Sequence, residues 1–220
     1  MMISPETYYE FELKGKDQET ILTRIVSLKQ EINHLKSELE NSRYETKIII
    51  LPSPLTRIKF TREYLEMAKR AYTEAGGIYK LSKAEQKDKA FNDSLKDMIR
   101  FVFEYGGYFG GFEIRTYTIE GDKVLFDLEH TFHSKPSNLP VYEPCTKAEF
   151  IEEIAQLHIG EWKSNYDNPL IMDGTQWSIE IEYEGDHKPV HISGSNSFPY
   201  NFDELLEFLE IKNEEEDNEI

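Results

Sequence analysis

Three strand-like runs follow one another between residues 99 and 132, with only short glycine-containing turns between them. No other feature constrains the fold as strongly. Ile99–Tyr105, Phe112–Ile119 and Val124–Phe132 are rich in β-branched and aromatic residues, which fit a pleated, half-buried surface. The connections Gly106-Gly-Tyr-Phe-Gly-Gly111 and Gly121-Asp122 are too short for a crossover helix, so consecutive strands must run antiparallel. Further on, Trp177–Tyr183 alternates apolar and polar residues cleanly, and Val190-His-Ile192 is its hairpin partner. Hairpins separated from helices argue against a doubly wound parallel sheet. The expectation is an α+β fold: an antiparallel sheet of about five strands with two helices packed on one face, preceded by a helical N-terminal region.

Helix signals occupy the remaining chain. Ser4-Pro5 has the order of an N-cap followed by proline in the first turn, and Asp17 can cap the next helix. Ile21, Ile25, Leu28, Ile32, Leu35 and Leu39 repeat at 4, 3, 4, 3, 4, a single apolar seam. That seam packs either on its own protein or on a second copy, as a homodimer through residues 21–39. Lys47–Leu51 reads as a short strand closed by Pro52-Ser-Pro54, and residues 57–75 as a helix with Phe60, Tyr64, Ala68 and Ala71 on one face. Ser82 with Glu85 and Thr146 with Glu149 have capping-box spacing. The second box opens a helix with Phe150, Ile154, Leu157 and His158 on one side. Asn201 and Glu204 mark the start of a last helix. The expected organisation is a mainly helical region 1–98, an α+β domain 99–211, and an acidic tail 212–220.

Charge is distributed unevenly over the 220 residues. The formal net charge is −17, yet residues 1–148 carry 23 acids and 22 bases. Residues 149–220 carry 19 acids against Lys163, Lys188 and Lys212, whereas residues 43–100 carry 13 bases against 8 acids. Direct binding to DNA or to an anionic membrane is disfavoured by the overall sign. No run reaches the roughly 20 apolar residues of a spanning helix. No signal-peptide pattern opens the chain, and the reading is cytoplasmic. The single Cys145 excludes an internal disulfide and a cysteine-based zinc cluster.

The acidic concentration directs attention to the alternating strand. Ser178, Glu180, Glu182 and Glu184 share one side, and at about 3.3 Å per residue the carboxylates would stand about 6.6 Å apart. Such a row resembles the spacing of successive phosphates. The same strand is also what a solvated sheet face looks like. Tyr108 and Phe109, in the glycine turn, are candidate aromatic anchors. That turn lies between two strands and lacks Gly-Lys-Ser/Thr, so it is not a phosphate loop. None of the six histidines forms a His-Glu-x-x-His pattern. A spatially assembled metal site would draw on His130, His158 and His191 with Asp173. The chain as read needs no metal and no cofactor.

Gly-Gly-Tyr-Phe-Gly-Gly (106–111), His-Ile-Gly-Glu-Trp (158–162), Asp-Gly-Thr-Gln-Trp (173–177) and Gly-Ser-Asn-x-x-Pro-x-Asn-Phe (194–202) together resemble a set of small uncharacterised bacterial proteins. Those proteins are carried on plasmids, phages and integrative elements. The resemblance covers about residues 99–211. Some proteins of that setting are anti-CRISPR proteins acting on type II effectors, so the resemblance implies an accessory inhibitor.

Charge and resemblance together predict a non-catalytic acidic protein that docks on a basic nucleic-acid-binding protein, most specifically a Cas9-type nuclease or its guide complex. Glu180, Glu182 and Glu184 would carry the contact, supported by Glu152, Glu153 and Asp186, with Tyr108 and Phe109 as anchors. One alternative is a metal- or histidine-dependent nuclease acting on guide RNA, using Asp173, His158, His130 and Glu161. The other is an RNA/protein scaffold using the basic segment 43–100.

Overall fold

The computed structural model describes residues 3–42, 51–132, 145–171 and 173–211. The strand expected at 47–51, the proline-containing loop, His133 and the acidic tail lie wholly or largely outside them. The chain divides into two compact units, Met1–Leu81 and Ser82–Ile220.

The first unit is helical. Helix α1 (Pro5–Tyr8) starts at Ser4, whose hydroxyl accepts from the Thr7 N–H, and runs on as a π-helical turn over Tyr9–Leu13. Gly15, at φ 71°, turns the chain where a side chain would be strained. Helix α2 (Gln18–Ser42) begins with Asp17 accepting from the Thr20 N–H at 2.9 Å. Helix α3 spans Pro54–Glu74. The Gln18 amide donates to the Ala75 carbonyl, and Arg57 pairs with Glu31, so the two helices run antiparallel.

Ile21, Ile25, Leu28, Ile32 and Leu35 are all buried, each worth about 1.5–3 kcal/mol when withdrawn from water. The heptad seam is therefore used inside the chain, against α3, rather than left as a dimer seam. On α3 the buried face is Ile58, Thr61, Leu65, Ala68 and Ala71: Ala68 and Ala71 lie in it as expected, whereas Phe60 and Tyr64 are only half-buried. Tyr64 instead stacks on Tyr8 with ring centroids 4.2 Å apart and donates to the Ile3 carbonyl at 2.6 Å.

The second unit is the α+β domain. Helix α4 (Lys83–Ser94) opens with a complete capping box between Ser82 and Glu85. It precedes the sheet within this unit, so the division falls after Leu81 and not near residue 99. Phe91, Leu95 and Met98 are buried, which ties α4 to the start of the sheet. The strands are β1 (Met98–Gly107), β2 (Gly111–Glu120), β3 (Lys123–His130), β4 (Asn165–Asp167), β5 (Thr175–Tyr183) and β6 (Val190–Ser195). Their order is β3-β2-β1-β5-β6-β4. All pairings are antiparallel except β4 with β6, so the sheet is mixed and six-stranded. Three residues carry too little periodicity to reveal β4 in the sequence.

Helices α5 (Lys147–Gln156) and α6 (Phe202–Phe208) cover one face. Phe150 of α5 meets Phe101 and Tyr117, while Phe202 of α6 meets Phe103, Tyr105 and Trp177. Alternation along β1 thus puts Phe101, Phe103 and Tyr105 inward. A buried cation lies in this layer: the Arg115 guanidinium donates to Glu113 and to the Leu209 carbonyl at the end of α6, and lies 5.9 Å from the Phe126 ring centroid. Its charge answers the negative end of that helix.

Three short segments knit one corner of the core. The Trp162 and Trp177 rings meet edge to face at 6.1 Å. The Trp177 indole N–H donates to the Ser197 carbonyl, and a Cβ on Gly194 would lie 2.3 Å from that indole nitrogen. Gly174 likewise has no room for a side chain, because a Cβ would stand 1.9 Å from Asn196 Oδ1. Asn201 does not cap α6 with its side chain. Its Oδ1 accepts from Trp162 Nε1 at 3.0 Å, and its Nδ2 donates to the Leu157 carbonyl at 2.8 Å. The motifs at 158–162, 173–177 and 194–202 are therefore core architecture.

Candidate functional site

Pairing register places every second residue of the strands on the face opposite α5 and α6. Three rows cross that face. The first runs Glu129, Ile114, Glu104, Ser178, Ser193; the second Asp127, Thr116, Val102, Glu180, His191; the third Leu125, Thr118, Arg100, Glu182. None of these residues is fully buried. The rows hold five carboxylates against one arginine. Glu104 and Glu180 are diagonal neighbours, a relation that spans about 7–8 Å in a sheet.

The expected glutamate row is partly there. Glu180 is exposed and stands between Val102 and His191. Glu182 is answered by Arg100 at 3.0 Å, with both side chains more than one-third exposed. Such a pair contributes about 1 kcal/mol or less. Glu184 lies beyond the end of β5, where its backbone N–H donates to the Asp97 carbonyl at 2.8 Å, so it does not extend the row. Glu152 and Glu153 are exposed on α5, across the sheet from Glu180, and do not join this surface. Asp186 is exposed in the β5–β6 connection. Glu104, Asp127 and Glu129 come into the surface from strands that local charge counting passed over. Their signal was the strand alternation, read together with a pairing register that the sequence does not contain.

At the glycine end of the same face lies a polar hollow of about 330 Å³, lined by Glu104, Phe112, Asn165, Gln176, Ser178, Ser193 and Ser195. The β1–β2 hairpin turns beside it. Gly106 permits the close approach, since a Cβ there would lie 2.1 Å from the Gly111 carbonyl oxygen. Tyr108 and Phe109 at the tip are 75% and 80% exposed and meet edge to face at 5.3 Å. Two large rings left in water at one loop tip favour a contact role, because burying them on a partner releases that exposure.

The nominated catalytic residues do not converge as a group. His130 Nε2 lies 3.9 Å from Glu113, His191 is on the open face, and Asp173 is exposed ahead of β5. His158 and Glu161 do come together, joined by Asp88 of α4, which the sequence reading did not single out. His158 does not continue the α5 face: the helix stops at Gln156, and His158 leaves it at φ 51°.

Much of the basic segment is internally compensated. Arg57, Lys69, Arg70, Lys89 and Arg100 each pair with a carboxylate. Lys87 donates to the Trp162 carbonyl at 2.7 Å. No helix among the described residues is long and apolar enough to cross a membrane.

Comparison of the chain with protein-family models, with curated proteins and with solved structures finds no match.

Proposed function

We propose that the protein is an acidic, non-catalytic binding protein whose open sheet face docks on the basic surface of a nucleic-acid-processing protein and inhibits it. The observation that carries this reading is the gathering of Glu104, Asp127, Glu129, Glu180 and Glu182 on one solvated face with a single arginine. Carboxylates held on a rigid sheet repel a nucleic-acid backbone and attract the groove that binds one. The hollow beside Glu104 has the size and polarity to receive a lysine or arginine side chain. In this reading the Tyr108-Phe109 tip supplies the apolar anchor that charge alone does not. A Cas9-type nuclease is the first candidate target, on the strength of the motif resemblance.

The test is capture of a purified Cas9–guide complex by the tagged protein, at low and high salt. Binding should weaken steeply as salt rises. Glu104→Lys with Glu180→Lys should lower the association rate. Tyr108→Ala with Phe109→Ala should weaken affinity by roughly 2 kcal/mol or more. Unchanged capture by both double variants would remove this face from the account. Capture of a shortened guide would instead favour the nuclease reading.

A further inference from the structure

Asp88, His158 and Glu161 each offer a ligand atom, and these atoms all lie within 4.8 Å of one another. Asp88 is in the middle of α4, whereas His158 precedes and Glu161 ends the 3-10 turn Ile159–Glu161. The three are partly buried, and Asp88 Oδ1 and His158 Nδ1 are sealed from solvent. We infer that this cluster is a binding site for a divalent first-row transition metal, with zinc the ion its donor set fits best.

The argument starts from the donors. One imidazole nitrogen and two carboxylate oxygens form a set used by Zn²⁺, with bond lengths of about 2.0–2.2 Å. Four donors around such an ion stand roughly 3.5 Å apart, by the tetrahedral geometry of those bonds. The observed separations, up to 4.8 Å, are wider than that, so the donors would have to draw together around an ion.

The surrounding structure independently fixes the donors in place. His158 takes up a left-handed backbone conformation, φ 51° and ψ 37°, which a non-glycine residue rarely adopts. The preceding carbonyl is pinned by Asn201, and the Glu161 N–H donates to the His158 carbonyl at 3.0 Å. Gly160 lets α4 come close: a Cβ there would lie 2.7 Å from Asp88 Oδ1 and 2.8 Å from Phe91 Cβ. Any other residue would push the helix and Asp88 away from the histidine.

A further polar group lies beside Asp88. Asn92, one helical turn after Asp88, approaches Asp88 Oδ2 with its Nδ2 at 3.5 Å. Its Oδ1 is buried and has no hydrogen-bond partner among the described residues. A buried carboxamide oxygen left without a partner is costly. A cation held beside Asp88 within reach of this oxygen would supply a partner and gain a fourth donor, its third oxygen. Bound metal would clamp α4 to the segment after α5, which joins two parts of the unit that no strand pairing connects. The ligand set is separate from the open acidic face, so this inference stands independently of the proposed function.

The test uses the full chain, stripped with a chelator and titrated with Zn²⁺ and, for its visible spectrum, Co²⁺. The expected result is one ion per chain with a Kd on the order of 10 µM or tighter, a d–d spectrum of four- or five-coordinate cobalt, and a raised Tm. Asp88→Asn and Glu161→Gln should each weaken binding at least about tenfold, while His130→Gln and Asp173→Asn leave it unchanged. Should the site variants unfold, imidazole NMR of the wild-type chain decides the point: Zn²⁺ should shift one histidine, identified as His158 by sequential assignment of the wild-type spectrum. Binding that is absent, equal in all variants, or reported by another histidine would overturn the inference and leave His158 as an imidazole between two carboxylates.

Discussion

Asn201→Ala is the sharpest test of how this domain is held together. The carboxamide is 1% exposed and makes two hydrogen bonds, to Trp162 Nε1 at 3.0 Å and to the Leu157 carbonyl at 2.8 Å. Alanine removes both partners and leaves a buried indole N–H and a buried carbonyl with nothing in reach. Each orphaned group costs about 1–3 kcal/mol, so the expected loss is about 2–6 kcal/mol. That is a large part of the roughly 5–15 kcal/mol by which a domain is stable. The assay is urea unfolding followed by tryptophan fluorescence. Trp162 and Trp177 are the chain's two tryptophans, both within Ser82–Ile220, so the signal reports this unit alone. Asn41→Ala, at an exposed position on α2, should change stability by about 0.5 kcal/mol or less. A loss below about 1 kcal/mol for Asn201→Ala would refute the bridge as the element that fixes the segment carrying His158.

The remaining predictions concern the covered face of the sheet. Arg115→Met should cost about 3–5 kcal/mol, because it leaves Glu113 and the Leu209 carbonyl without their cation in a largely buried site. Adding Glu113→Gln should restore part of that loss in thermal unfolding, and a neutral single variant would contradict the assignment. Burial pushes the Tyr117 hydroxyl up from 10.0 to about 12. The unfolded chain ionises this tyrosine first, so its contribution to stability is intact below pH 10 and is lost as pH rises toward 12. The slope should reach about 1.4 kcal/mol per pH unit. Chemical denaturation across that window should show a shallower decline for Tyr117→Phe, and identical slopes would sink the argument.

Local signals were legible wherever their partners lie within a few residues. Both capping boxes form as their spacing requires, because the side chain and the N–H that it meets are three residues apart. Ser4 and Asp17 act as caps for the same reason. The alternation of Trp177–Tyr183 was readable because a strand has period two. The site was less legible. Glu182 lost its place in a free row to Arg100, 82 residues away in sequence. Glu184 fell off the strand end. The position of Asn201 before a helix suggests a cap, yet its side chain is drawn inward by an indole and a carbonyl that only the packed core brings near.

The sequence by itself determined the class of the fold, the capping-box helix starts at Ser82 and Thr146, the meander and the antiparallel hairpin of β5 and β6. These follow from periodicity and turn chemistry, which act over a few bonds. Only the tertiary structure decided that the heptad stripe is spent on α3, that a three-residue strand joins β6 in parallel, that Glu104, Asp127 and Glu129 share a face with Glu180, and that Asp88 meets His158. Those are contacts between distant segments. They are set by how several apolar faces bury one another at once, and no single stretch of sequence carries that information.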